Sequence, residues 1–154
     1  MDLVILAVGR LRSSYREVCD DYLRRLRRYA KVREVEVREA SRAPTVEAQR
    51  EEEAGRLIAR APGGATVVAL AREGPTWTSE ELARRLEGWR RAARPLAFVI
   101  GGSRGLAPGL LASAAARWSL GGLTLPHELA RVVVTEQLYR AFTILRGEPY
   151  HKGR

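Results

Sequence analysis

Apolar residues in this chain fall into short continuous runs separated by stretches of helical period. Residues 3–8, Leu-Val-Ile-Leu-Ala-Val, are apolar throughout and end at Gly9, the mark of a strand buried on both faces. Ser13 or Ser14 caps a helix predicted to reach about Tyr29, with Tyr15, Val18, Cys19, Tyr22, Leu23 and Leu26 at helical spacing. Val32, Val35 and Val37 sit among charges; Val35 and Val37 share a face, which predicts a half-exposed strand. Pro44 and Thr45 open a polar helix to about Ala61, closed by Pro62-Gly63-Gly64. Residues 66–70 read as a buried strand, and Thr78 or Ser79 caps a helix to about Ala93, with Glu81 or Leu82 at the capping-box offset. Residues 96–100 form a fourth strand, Pro108 to about Arg117 a short helix, Trp118 to Leu120 a short fifth strand, and Glu128 to about Arg146 a last helix.

Buried strands alternating with helices predict an α/β fold with a mainly parallel sheet covered on both faces. No linker or repeat divides residues 1–154, which are read as one domain. The last helix is unusual: Leu129, Val132, Val133, Val134, Leu138, Tyr139, Phe142, Ile144 and Leu145 cover more than one apolar stripe. A helix of that kind is buried on two sides, and a second subunit is the expected cover, so a homodimer is predicted.

Charge narrows the partners. A net charge of +9 favours an anionic partner, nucleic acid first among them. The basic residues are nearly all arginine, Lys31 and Lys152 excepted, and they lie towards both ends of the chain. The run Arg24-Arg25-Leu26-Arg27-Arg28 fits either a solvated helix face or an RNA-facing one. Cys19 is the sole cysteine, which excludes a disulfide framework and a cysteine-based metal cluster; its helical neighbours make it a core residue. The opening apolar run is too short for a signal peptide and no run is long enough to span a bilayer, so the chain is read as cytoplasmic, with neither membrane nor metal as partner.

Two glycine-rich segments follow strand-like runs near the end of the chain: Gly101-Gly102-Ser103-Arg104-Gly105 and Gly121-Gly122-Leu123-Thr124-Leu125-Pro126-His127. Glycine after a parallel strand lets a ligand approach the backbone, and ligands of open α/β sheets bind beyond the carboxyl ends of strands. On spacing alone the glycine pairs serve tight turns equally well. Neither segment has the G-x-G-x-x-G order of a dinucleotide loop or a G-x-x-x-x-G-K-[ST] phosphate loop. A ligand held by backbone amides and apolar contacts fits better, and an adenosine with a sulfonium tail is one.

The spelling of these segments resembles the RlmH family of ribosomal RNA methyltransferases. The resemblance rests on Ile100-Gly101-Gly102-x-x-Gly105-Leu106, Trp118-Ser119-Leu120 with Leu123-Thr124-Leu125-Pro126-His127, Arg131-Val132, Glu136-Gln137-Leu138-Tyr139-Arg140-Ala141 and Pro149-Tyr150-His151. Ala7-Val8-Gly9 and Tyr22-Leu23-Arg24-Arg25 match as well, collinear over the whole chain. The resemblance implies a SPOUT-superfamily fold with a C-terminal deep trefoil knot, working as a homodimer. It implies methylation of N3 of a pseudouridine in helix 69 of 23S rRNA, on the assembled 70S ribosome, with S-adenosylmethionine as donor. Two other readings stand beside it: a non-catalytic RNA- or ribosome-binding module on the same fold, and a knotted methyltransferase acting on tRNA. The intact Gly-Gly and Leu-Thr-Leu-Pro-His segments favour the enzyme.

Position by position, the resemblance implies a donor site made of Leu70 and Ala71, Gly102, and the segment Gly121, Gly122, Leu123, Thr124, Leu125 and Pro126. It makes Tyr150, His151 and Lys152 the candidate acceptor-side residues. A pseudouridine imide must lose its N3 proton, and a histidine titrating near neutrality suits that task. Tyr150 would stack on or orient the base, and a cation would stabilise the developing imidate. His127 is a second available base, or a helix-terminal residue with a structural hydrogen bond. The family carries arginine where this chain has Lys152, and lysine keeps the charge without the planar fork. Arg10, Arg12, Arg24, Arg25 and Arg104, with His127, are the candidate RNA contacts; arginines of this kind position phosphates without reading sequence.

Overall fold

The computed structural model describes residues 1–152, with side chains through Tyr150. Strands and helices alternate: β1 (Asp2–Val8), α1 (Ser13–Leu26), β2 (Lys31–Val37), α2 (Val46–Ala59), β3 (Thr66–Leu70), α3 (Ser79–Arg91), β4 (Leu96–Ile100), α4 (Pro108–Ser113), β5 (Ala116–Trp118) and α5 (His127–Leu145), followed by a 3₁₀ turn at Pro149–Lys152. The five strands form one sheet in the order β2-β1-β4-β3-β5, every pair parallel. This is the α/β fold class that the alternation predicts.

Register places the starts of the strands along one edge, with Asp2 opposite Lys31, and Leu3 and Thr66 both opposite Leu96. That edge is the amino pole of the sheet, and the strand ends and the loops leaving them form its carboxyl pole. The continuous apolar runs are explained by burial on both faces. Leu3, Ile5 and Ala7 pack with Cys19, Leu23, Leu138 and Phe142 of α1 and α5, whereas Val4, Leu6 and Val8 pack with Ala54, Leu57 and Leu110 of α2 and α4. α5 packs against both α1 and α3, and this position accounts for part of its all-round apolarity. Cys19 is fully buried, as its spacing predicts, and burial pushes its thiol up to about 11.

Local signals hold where the partner is close in sequence. Thr45 caps α2 by accepting from the Ala48 N–H at 3.0 Å, and Thr78 with Glu81 closes the capping box of α3. Three expectations are corrected by longer-range contacts. α1 is not capped by Ser13 or Ser14; its N-cap is Arg12, whose N–H donates to Glu128 Oε1 at 2.7 Å, so a distant carboxylate sits at the positive end of the helix. The fifth strand is Ala116–Trp118 rather than 118–120, and α4 ends at Ser113, because Ala116 pairs with Val68 while the Ser119 N–H turns to the Pro75 carbonyl at 2.9 Å. β2 keeps exposed positions at Lys31 and Arg33, but its polar residues are not all turned to solvent: Val32 joins the α1 side of the core, Val35 and Val37 the other, and Glu34 and Glu36, partly buried, turn inward onto arginines.

Those arginines form a buried network. Arg131 of α5 is fully buried and donates to the Gly9 carbonyl at 3.0 Å, Glu34 at 3.0 Å and Glu36 at 2.6 Å. Arg16 of α1 reaches Glu34 at 2.6 Å and Glu36 at 2.9 Å. Burial opposes ionisation of Glu34, but hydrogen bonds from Arg16 and Arg131 outweigh it and hold the carboxyl below its ordinary range. Arg131→Ala, which leaves the two carboxylates with Arg16 alone, is expected to cost about 3 kcal/mol or more in urea unfolding. The Glu34 contribution is present above its ordinary value of 4.5 and fades as the pH falls towards the lower folded-state value, so acid unfolding of the parent should steepen below that pH.

Candidate active site

The loops leaving β3, β4 and β5 surround a cleft of about 730 Å³ at the carboxyl pole, within the size range of small-molecule sites. Leu70, Ala71, Ile100, Gly101, Gly121 and Leu125 line it, together with four arginines, Arg50, Arg72, Arg104 and Arg117. Backbone and aliphatic surface alternate there with cationic side chains, which suits a ligand having an apolar ring system and a charged end.

The first glycine segment closes on itself. The Gly105 N–H donates to the Gly102 carbonyl at 3.0 Å, and a Cβ at Gly101 would stand 2.6 Å from the Gly105 carbonyl carbon. Only glycine fits at 101, so the cleft wall there is bare backbone. The second segment turns at Gly121, which adopts a φ of 121°. Ser119 holds this turn against the loop after β3: its hydroxyl accepts from the Gly121 N–H at 3.2 Å and lies 3.1 Å from the Arg72 carbonyl. Arg72 reaches back to the Thr124 hydroxyl at 2.8 Å. The two loops are thus laced together across the cleft.

Of the donor-site residues implied by the resemblance, Leu70, Ala71, Gly121, Leu123, Thr124 and Leu125 line the cleft. Gly102 lies in the wall behind it: a Cβ there would meet Val8 Cγ1 at 3.0 Å, towards β1 rather than the cleft. Gly122 is exposed with open space where a side chain would stand, and Pro126 is the N-cap of α5. His127, the first residue of α5, faces the cleft. Arg50, Arg72 and Arg117 join the site without any motif to announce them; their only signal in the sequence is the excess of basic charge.

The acceptor-side tail is elsewhere in the same chain. The Tyr150 hydroxyl donates to Glu136 Oε2 at 2.8 Å, its ring stands edge-on to Tyr139 with centroids 4.7 Å apart, and the Arg140 guanidinium lies 5.0 Å from its centre. Burial, and then the bonds to Tyr22 and Glu136, push the Tyr150 hydroxyl well above the ordinary tyrosine range. The side chains of His151 and Lys152 lie outside the described residues. Glu136 and His127 are separated by about 13 Å along α5 at 1.5 Å per residue, so the Tyr150 anchor and the cleft occupy different parts of that helix.

Among the candidate RNA contacts, Arg104 is exposed and lines the cleft, Arg10 is exposed just after β1, and Arg12 is paired with Glu128 at 3.0 Å. Arg24 and Arg25 share Asp21 further down α1, and Arg25 also lies over the Tyr22 ring. Among the described residues no group of His, Cys, Asp and Glu could hold a metal ion, and no helix is long and apolar enough to cross a membrane.

Residues 1–151 match the family described as "Predicted SPOUT methyltransferase". The chain is 59% identical over 152 residues to the Ribosomal RNA large subunit methyltransferase H of Rubrobacter xylanophilus, with 96% of each chain covered. It is 46% identical over 153 residues to the protein of that name from Anaeromyxobacter sp. (strain Fw109-5), covering 99% of this chain and 100% of the other. Among solved structures it is similar to a methylase family protein from Haemophilus influenzae Rd KW20, with a TM-score of 0.55 at 12% identity, over 96% of this chain and 69% of that one. A methylase family protein from Neisseria gonorrhoeae gives 0.53 at 13% identity, over 90% and 81%. These two likenesses are of fold.

The closed turn makes a direct prediction. Gly101→Ala forces a Cβ into the Gly105 backbone and should destabilise the protein by about 1–3 kcal/mol. Gly122→Ala meets nothing within 4 Å and should stay within about 0.5 kcal/mol of the parent, both read by urea unfolding.

Proposed function

The chain belongs to the SPOUT methyltransferase family, and from that premise we propose that it methylates large-subunit ribosomal RNA. The finer reading is transfer from S-adenosylmethionine to N3 of a pseudouridine in helix 69 of 23S rRNA, on the assembled 70S ribosome in the cytoplasm. The observation that carries this proposal is the cleft between the two glycine turns, with its bare-backbone wall and the four arginines that line it. The names and full-length coverage of the relatives support the ribosomal substrate. One domain with a knotted C-terminal part is the proposed architecture, and the lacing of 119–124 to the loop after β3 supports it.

The cleft residues fit such a donor. Leu70, Ile100 and Leu125 offer apolar walls for the adenine, and the backbone of the two glycine turns can approach it closely. Arg72 can pair with the donor's carboxylate, and Glu73 can accept from its ammonium or ribose hydroxyls. When bound, the donor supplies an electrophilic methyl group on a sulfonium. On the acceptor side, the imidazole of His151 takes the N3 proton; the nitrogen lone pair forms the new N–C bond as the S–C bond breaks, with its electron pair left on sulfur. Lys152 balances the negative charge that develops on the imide oxygens, and Tyr150 orients the base. Arg10, Arg12 and Arg104 hold phosphates of the substrate, Arg104 from the rim of the cleft.

We also propose that the enzyme is a homodimer in which the tail of one subunit completes the cleft of the other. Tyr150 is anchored well up α5 from the cleft, and its backbone arrives from the far end of that helix.

Ribosomes lacking the modification, incubated with methyl-labelled S-adenosylmethionine, should acquire label at a large-subunit pseudouridine. Label confined to tRNA, or none despite donor binding, would overturn the substrate assignment. His151→Ala should lower transfer while leaving the donor's stabilisation of the fold unchanged, about 2.7 kcal/mol at 100 times its Kd. Ala71→Trp, which fills the cleft, should abolish that stabilisation. If sites are shared, mixing these two variants after unfolding and reassembly restores part of the activity that each lacks; no restoration would assign both roles to one chain.

A further inference from the structure

In a parallel sheet the covering helices run back from the carboxyl pole to the amino pole. α1, α5 and α3 lie in one layer with α5 in the middle, so three helix C-termini emerge side by side at the pole remote from the cleft. Their ends are basic. Arg27 and Arg28 follow α1, Arg146 follows α5, Arg94 follows α3, and Lys31 opens β2 beside them; all five are exposed. None of the five has a carboxylate partner among the described residues, whereas Arg24 and Arg25 share Asp21, and Arg90 and Arg91 share Glu87.

Helix C-termini attract cations, and one arginine per end satisfies that preference. Here each paired set, or in α5 the helix itself, is followed by further arginines beyond the last turn. Two of these are held in place: Arg28 and Arg146 lie 5.8 Å and 5.4 Å from the centre of the Tyr29 ring. A shallow depression of about 390 Å³ between Met1, Asp2, Arg90 and Arg94 continues the surface. With neighbouring helix axes 8–10 Å apart, the row spans roughly 20 Å. The exposed large apolar side chains of the described residues are Val18, Ile58, Leu123 and Leu145, too scattered to form the apolar face of a membrane-surface helix.

We propose that this amino-pole row is a second RNA-contact surface that grips a phosphate backbone at the end of the subunit opposite its own cleft. It rests in part on the proposed ribosomal RNA substrate, but the contact itself is sequence-independent. Forked guanidinium groups spaced along a rigid layer suit successive phosphates, and they place the protein without reading bases.

The test is a triple variant, Lys31→Gln, Arg94→Gln and Arg146→Gln, beside Lys31→Arg, Arg94→Lys and Arg146→Lys, which keeps the charge. Affinity is measured for an RNA duplex of arbitrary sequence, for ribosomes and for anionic lipid vesicles over a series of salt concentrations, together with methyl transfer and the melting shift produced by S-adenosylmethionine. The glutamine variant should bind RNA about tenfold more weakly and lose about two units from the slope of log K against log salt, since each phosphate contact contributes about 0.7–0.9. Its donor-induced melting shift and its kcat at saturating ribosomes should match the parent, while KM for ribosomes rises. The charge-keeping variant should bind as the parent does. Unchanged affinity and slope in the glutamine variant would overturn the surface, as would a loss confined to binding of anionic lipid vesicles. A parent that binds RNA through this row yet methylates no ribosome would overturn the substrate assignment and leave the surface standing.

Discussion

Arg131 has no exposed surface, and its charge must be met inside the protein. Removing such a group from water costs several kcal/mol unless counter-charges and hydrogen bonds replace the lost hydration. The replacement comes from the end of β1, through the Gly9 carbonyl, and from Glu34 and Glu36 on β2, with Arg16 of α1 sharing the same carboxylates. Four elements are therefore fixed relative to one another around one guanidinium. Because Arg131 stands one helical turn beyond His127, the same contact sets where α5 begins, and so where the segment from Gly121 to Pro126 must end. The floor of the cleft is built by the sheet; its far wall is placed by this buried ion network.

That network also explains where sequence reasoning holds and where it stops. The five strands, the Thr45 and Thr78 caps and the two glycine turns are legible because each depends on residues within a few positions of one another. β2 misleads because its alternation of valine and glutamate looks like a core face and a solvent face. The residues that make its polar face an inner one, Arg16 and Arg131, lie far away in the chain. The cap of α1 fails to show for the same reason: Glu128, not a local serine, meets the N–H of the N-cap residue Arg12. β5 is displaced towards Ala116 because three residues against β3 satisfy it, after which Ser119 is claimed by the Pro75 carbonyl.

The candidate site divides in the same way. Spelling singles out the glycine turns and the Leu-Thr-Leu-Pro-His segment, and the fold gathers most of them about one cleft. It does not give the direction in which Gly102 faces, since that depends on the nearness of Val8 across the sheet. Nor does it single out Arg72, whose part in lacing the loops depends on the Thr124 hydroxyl arriving from another strand end. Arginines are too common in this chain for one of them to stand out by type.

The length of α5 limits what one chain does alone. The helix starts at the cleft and ends at the opposite pole, and the tail turns back only far enough for Tyr150 to reach Glu136. Three contacts favour that docked position: the bond to Glu136, the edge-on packing against Tyr139 and the Arg140 guanidinium over the ring. With Tyr150 held there, the backbone of the next two residues extends at most about 7 Å, roughly half of the about 13 Å of helix between the anchor and His127. Release of the tail within one chain would forfeit all three contacts and expose a ring now partly buried. In the proposed dimer a second copy laid along α5 leaves them in place and still brings a tail to a cleft, so the anchoring of Tyr150 supports the proposed sharing of a site between subunits.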